Sequence, residues 1–431
     1  MSSPTENPSP ANPVRRLTAW QLLSKRQFRL LWLGQSVSIL GDQFYLVALP
    51  WLVLYLTGSA LALGTVLLTA TVTRVVFQLV GGATSDMVSP RKMMIISSAL
   101  RAVVCALLSA LVLSNQIRLW QLFIIVAVFG MADAFFAPAI KAFIPTVIDR
   151  NNLVAGNSLL SGSSLLAMFI GPSLAGLLIT VVGTGGSFVL DTFSFVFVIV
   201  CLLLMRSHSS EASEDELQTR MKVAKAPLWS SIAEGIKYTW SEPTLRALLI
   251  ITAIVEFAFA GPFTVGLATL ANVKFAGGAA AFGAMLSALG GGLLVGTVVV
   301  GSTHFKFNFG KSILVLTTVL GIGLALLGVV PNVIWACVLM ALMGMVAGYL
   351  QVLMQTWLQT KSNPQMRGRV MSVVMLSAYG LTPLSYVVTG ALTQISISFM
   401  FRVTGLVLLL ALIFCAFGSS GRALVLNSRS E

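Results

Sequence analysis

This 431-residue sequence is short of charge: Asp, Glu, Lys and Arg together make up 10% of it, against roughly a quarter in soluble domains. With hydrophobic residues at 57%, that scarcity excludes an ordinary water-soluble domain and places the chain in a bilayer. Histidine occurs only at His208 and His304, both in polar segments, and neither a Ser/His/Asp set nor a phosphate-cradling glycine loop accompanies them. Little is therefore left from which to build an enzyme or a ligand-gated sensor. Cys105, Cys201, Cys337 and Cys415 all lie inside apolar runs without CxxC or Cys/His spacing. No metal centre and no cofactor is expected, and the four read as small core hydrophobes. Long polar stretches are scarce too, the one of any length covering 206–243.

The charge that is present is unevenly placed. A net charge of +13 raises the possibility of nucleic-acid binding, but the cations are not clustered with aromatic or groove-reading partners, so no nucleic-acid partner is expected. Most Lys and Arg fall in the N-terminal segment and in alternate loops, among them Arg15, Arg16, Lys25, Arg26, Arg91, Lys92, Arg150, Arg220, Lys222, Arg367 and Arg369. The opposite loops keep Arg118, Lys274 and Arg402. This is the positive-inside pattern, which puts both termini in the cytoplasm of a cell whose plasma (inner) membrane the chain crosses repeatedly.

Apolar runs of about 20 residues, long enough to span the hydrocarbon core, recur twelve times, and the polar stretch divides them six and six. The expected fold is an all-α membrane protein of twelve transmembrane helices in two pseudo-symmetric six-helix bundles, over 28–205 and 244–418. Residues 1–27 form a disordered or interfacial cytoplasmic segment, 206–243 a cytoplasmic loop with an amphipathic helix, and 419–431 a cytoplasmic tail. Residues 1–13, MSSPTENPSPANP, have no apolar core and are not expected to be a cleaved signal. The halves echo one another. Arg29 opens the first span as Arg246 opens the seventh, Pro172 and Pro383 lie in the fifth and eleventh, and the loop at Gly82 has a copy at Gly301–Lys311 without its carboxylate.

That loop reads GATSDMVSPRK, with Asp86, Arg91 and Lys92 between two apolar runs, charges able to pair with neighbouring helix ends and so act as a gate. Gly82, Asp86, Arg91 and Lys92 match the loop between spans two and three of the major facilitator superfamily, which the chain resembles over nearly its whole length. Met87, Ser89 and Pro90 depart from the family pattern, so some of the loop's ion pairs must differ. GPSLAG at Gly171–Gly176, with Gly162 before it, is similar to the fifth-span motif of the drug–proton antiporters, although Ala175 replaces a glycine. Its small residues let helix backbones approach closely, and Pro172 lets the helix bend. Four further segments, beginning at Gly41, Ile144, Trp229 and Arg367, resemble the branch containing macrolide efflux proteins and enterobactin exporters. The resemblance implies alternating access, with protons and a small organic molecule as partners and a monomer as the working unit.

Ionisable residues inside the membrane are costly and therefore informative. The acids Asp42, Asp133, Asp191 and Glu256 outnumber the bases Arg74 and Arg101, so at least one carboxylate lacks a full Arg partner and is suited to bind a proton. Asp42 and Arg74 fall at similar depth and are expected to pair; Arg101 and Asp133 are expected to form a static bridge. Asp191 is expected at the edge of span six, solvated or starting the helix. Glu256 has no cation in its own half and is the preferred proton carrier or substrate contact. Gln35, Asp133, Met168, Phe259, Gln351, Gln355 and Tyr379 are candidate cavity-lining residues, along with Met131, Phe136, Phe257, Met285 and Tyr386. The leading expectation is proton-coupled efflux of a bulky organic compound such as a drug, a macrolide or a siderophore-like molecule. The alternative is an uptake symporter or uniporter for a metabolite or lipid, against which the absence of the sugar-porter loop PESPR counts.

Overall fold

A computed structural model describes residues 18–84, 89–206, 237–302, 309–361, 373–374, 377 and 379–417, and every regular element among them is helical. In chain order these are α1 (Ala19–Leu22), α2 (Arg26–Thr57), α3 (Ala60–Thr84), α4 (Pro90–Leu113), α5 (Leu119–Val147), a 3-10 turn (Arg150–Asn152) and α6 (Leu153–Leu204). The second half holds α7 (Pro243–Gly261), a π-helical turn (Pro262–Gly266), α8 (Leu267–Lys274), α9 (Gly278–Ser302), α10 (Phe309–Leu327), α11 (Val333–Lys361), α12 (Thr382–Ile395) and α13 (Ile397–Phe417).

Among the described residues, nine helices are long and apolar enough to cross a membrane. One of them, α6, has 52 residues, about 78 Å at 1.5 Å per residue and more than twice a hydrocarbon core. It breaks at Gly183, where φ 72 and ψ 176 lie outside the helical region, and so provides two passes. Ile397–Ile413, within α13, is a shorter apolar stretch, and Thr382–Ile395 follows residues of which only part are described.

Local chemistry sets the helix ends. Gly58, at φ 62, closes α2 in the left-handed cap conformation that a side chain disfavours. The Ser89 hydroxyl accepts the Lys92 N–H at 3.3 Å and caps α4, with Pro90 at a position that needs no N–H. Helix α3 runs through Gly82 to Thr84, so the segment read as an eleven-residue loop is mostly helix ends; Asp86 lies outside the described residues, as do 303–308, Arg367, Arg369 and most of the 206–243 stretch. Arg91 does meet a helix end. Its guanidinium donates to the carbonyls of Leu202 at 2.7 Å and 3.0 Å, Leu203 at 3.3 Å and Met205 at 2.7 Å, satisfying the open C-terminus of α6. The Lys92 backbone is part of the Ser89 cap.

The largest apolar core joins the two halves, from Val47 and Leu63 to Phe282 and Met400. Two seams connect them, and both run from the Gly58 end to mid-depth. Along α6 and α9, a Cβ on Gly176 would lie 2.6 Å from the Ala279 carbonyl, one on Gly283 2.1 Å from that of Pro172, and one on Gly290 2.3 Å from that of Met168. Along α3 and α12, Gly64 meets the Tyr386 carbonyl and Gly390 meets that of Ala60. Only glycine permits backbones this close. Gly171 accommodates the Gln43 side chain, but Gly162 faces open space and contributes no close approach, contrary to the expectation for it. At Pro172 the next N–H, that of Ser173, is donated across the seam to the Ser287 hydroxyl at 2.8 Å.

Candidate functional site

The polar residues of the N-terminal half converge at mid-depth on Arg101. This side chain is 1% exposed, and its guanidinium lies over the rings of Phe136 at 4.3 Å and Phe195 at 4.5 Å. Two such contacts in a desolvated setting are each worth about 2 kcal/mol, enough to hold the cation rigidly. Its Nη1 lies 3.4 Å from Asp133 Oδ1 and 3.9 Å from Asp42 Oδ1, while Nε and Nη2 have no hydrogen-bond partner. Asp133 is shared: its Oδ2 lies 3.1 Å from Arg74 Nε in an ion pair. The expected Arg101–Asp133 bridge is therefore present, but the expected Asp42–Arg74 pair is not. Asp133, on α5 between α3 and α4, intercepts Arg74, and Asp42 is left to share Arg101.

Asp191 also departs from expectation. It is 0% exposed, two helical turns beyond the Gly183 break, because span six continues directly from span five and starts earlier than the hydropathy pattern implies. The Cys105 thiol donates to Asp191 Oδ2 at 3.3 Å; Ser194 Oγ donates to the Asp191 carbonyl at 2.7 Å and lies 3.3 Å from Oδ1. A Cβ on Gly41 would lie 2.8 Å from the same Oδ1, so α2 presses its backbone, one residue before Asp42, against this carboxyl. No Lys or Arg among the described residues lies within salt-bridge distance of Asp191. Tyr45 stacks on Phe129 at 4.3 Å and closes the far side.

The C-terminal half brings Glu256, half-buried on α7 and likewise without a cation at salt-bridge distance among the described residues. Tyr386 links the halves. Its hydroxyl lies beside Thr71 of α3 and Thr264 of the π turn, and both Arg74 and Glu256 are close enough to act on it electrostatically. Arg74, with 51% of its side chain accessible, and Asp42, with 41%, are thus open between the halves although both are far from a helix end. Ser385, one residue before Tyr386, accepts the Gly261 N–H at 2.8 Å and donates to the Phe257 carbonyl at 2.5 Å, fixing α12 against the helix that carries Glu256.

Of the cavity-lining candidates, Gln351 and Gln355 are exposed on one face of α11, Met168 and Tyr379 are exposed, and Gln35 is half-buried with Oε1 unpartnered. Phe259 is not a wall: it is buried against Phe263 at 4.9 Å, and Met285 and Phe136 are core residues. Sequence reading missed Asp191 and Cys105 as parts of the site and underrated Tyr386. The available signal was the Gly41–Asp42 dipeptide, a small residue beside a membrane carboxylate.

At the Lys25 end, Lys25 Nζ donates to Asp149 Oδ2 at 2.6 Å, tying the start of α2 to the loop before α6. That hydrogen bond and charge hold the Asp149 carboxyl below the usual carboxylate range.

The sequence matches the transmembrane secretion effector family over residues 17–420. It is 26% identical over 362 residues to the multidrug efflux pump Tap of Mycolicibacterium fortuitum, covering 82% of this chain and 86% of that protein. With macrolide efflux protein A of Streptococcus pyogenes it shares 21% identity over 399 residues, covering 91% and 95%. The crystal structure of the POT family transporter PepTSo superposes with a TM-score of 0.71 at 12% identity over 93% of this chain and 98% of that one, which establishes the fold. Paired bundles with acids at their interface and a match over nearly the full length lead to one assignment: the chain belongs to the transmembrane secretion effector family of the major facilitator superfamily.

Proposed function

We propose that this chain exports a bulky organic compound from the cytoplasm in exchange for protons, by alternating access of its two six-helix halves. The observation that carries the coupling is the charge imbalance at the site: Asp42 and Asp133 share Arg74 and Arg101, and among the described residues neither Asp191 nor Glu256, which lies near Tyr386, has a cation within salt-bridge distance. A carboxylate left unpaired in a low-dielectric interior favours its protonated form. A proton and a cationic or amphipathic substrate then compete for the same carboxylates, so that loading from the cytoplasm expels a proton taken up outside. The efflux names of the relatives support export over uptake.

The bias of Lys and Arg toward alternate loops supports an outside position for the Gly58 end. Both glycine seams close that end, which makes this conformation inward-facing, with Asp42, Arg74 and Glu256 reached from the cytoplasm. Arg91 and Lys92, with Asp86 from the same segment, act as the cytoplasmic gate, Arg91 by gripping the end of α6.

The test is export from loaded vesicles under an imposed pH gradient. Asp42→Asn and Glu256→Gln are each expected to abolish gradient-driven export while leaving the protein folded, judged by circular dichroism and monodisperse elution. Unchanged export by both variants would sink the coupling assignment.

A further inference from the structure

The hydrogen bonds around Asp191 identify where one proton resides. Ser194 has a single hydroxyl hydrogen, and the 2.7 Å contact to the Asp191 carbonyl uses it. The longer 3.3 Å contact between Ser194 Oγ and Asp191 Oδ1 leaves a lone pair of Ser194 free to accept a hydrogen from the carboxyl. The other oxygen, Oδ2, accepts the Cys105 S–H. With the proton on Oδ1 both Asp191 carboxyl oxygens and the Ser194 hydroxyl have partners. Without it, a carboxylate with no solvent exposure would rest on one weak S–H donor and a long share of the Ser194 hydroxyl, an arrangement several kcal/mol too costly to persist.

We propose that Asp191 is a second proton-carrying residue of the N-terminal half, positioned behind Asp42 and exchanging its proton with it; this rests on the proton-coupled reading above. The groups facing Asp191 are Asp42 and Tyr45 from α2 and Arg101 and Cys105 from α4, and Asp42 and Arg101 act on its charge most directly. Gly41 places no side chain between the α2 backbone and the Asp191 carboxyl, which keeps the path to Asp42 short. In the exchange the Asp191 O–H bond breaks, an O–H bond forms on Asp42, and one negative charge passes from Asp42 to Asp191. Arg101, 3.9 Å from Asp42 and fixed between its two rings, stays in reach of the charge in both states. Asp42 then meets the substrate while Asp191, sealed from the cavity, stores the proton.

Infrared spectroscopy of the full chain in lipid nanodiscs, from acid to alkaline pH, reads this directly. A protonated-carboxyl C=O band component is expected in the wild type that is kept in Glu256→Gln and missing from the Asp191→Asn spectrum. Ser194→Ala removes the acceptor and is expected to move the band to higher frequency, which keeps the test intact if Asp191→Asn folds poorly. Asp42→Asn is expected to change the pH at which the band disappears, because the two carboxyls exchange one proton. An identical band in Asp191→Asn and wild type, or a pH dependence untouched by Asp42→Asn, overturns the proposal. Either result would leave the vesicle export of Asp42→Asn and Glu256→Gln to report separately on coupling itself.

Discussion

Among single residues, the Lys25–Asp149 pair has the simplest pH dependence. Asp149 titrates lower in the folded chain than when unfolded, so its contribution to stability is fully present above its unfolded value, about 3.9, and is lost as pH falls through the lower folded value. Both side chains are substantially exposed, which limits the pair to at most about 1 kcal/mol. Lys25→Ala is expected to lower the thermal midpoint slightly at neutral pH in detergent, and the difference from wild type should vanish in strong acid. A difference that persists there would show that the lysine acts through its aliphatic stem. Which residues are charged inside the membrane is legible in the sequence, because such residues are rare and each stands alone in an apolar run. Their pairing is not. Asp42 and Arg74 match in depth, yet depth gives no azimuth around the helix, and it is azimuth that lets Asp133 take Arg74 and turns Asp42 toward Arg101.

For helices, the difference between one glycine and another is a matter of what each faces. A Cβ at Gly283 would lie 2.1 Å from a backbone oxygen that cannot swing aside, so Gly283→Ala forces α9 away from α6. Double electron–electron resonance between spin labels at Gln116 and Val329, one on each half at the Gly58 end, should show the population moving to longer distances. Gly162→Ala is the contrast: nothing lies within 4 Å, and alanine gains up to about 1 kcal/mol over glycine in a helix, so the variant should be as stable as wild type or more so with the distances unchanged. The GPSLAG pattern marked this helix correctly as one that packs closely, since small residues at helical spacing have few other uses in a membrane. It gave no partner. Gly283 and Gly290, in a glycine-rich run of the second half, complete the seam, and a single sequence does not say which runs face each other.

The architecture of the whole molecule was the most legible part, because a bilayer imposes one length on every span and one rule on every loop. The break at Gly183 and the early start of span six were hidden, since a glycine in a long apolar run looks like any other packing glycine. Alternating access requires the α6–α9 seam to open, and Ser173 and Ser287 meet across it. Ser173→Cys paired with Ser287→Cys, in a background with Cys337 and Cys415 replaced, is expected to arrest export on oxidation and recover it on reduction. Continued export by the oxidised protein, with the crosslink verified by mass, would mean that transport does not need this seam to part. The same helix reaches further. A loop of ten residues between spans five and six would absorb a rotation of one before it reached the other, but one glycine residue leaves the two joined as a crank. The arm that slides on the opposite half and the arm that holds Asp191 are one lever, so that, under the proposed proton coupling, gripping the seam and moving a proton become a single mechanical event.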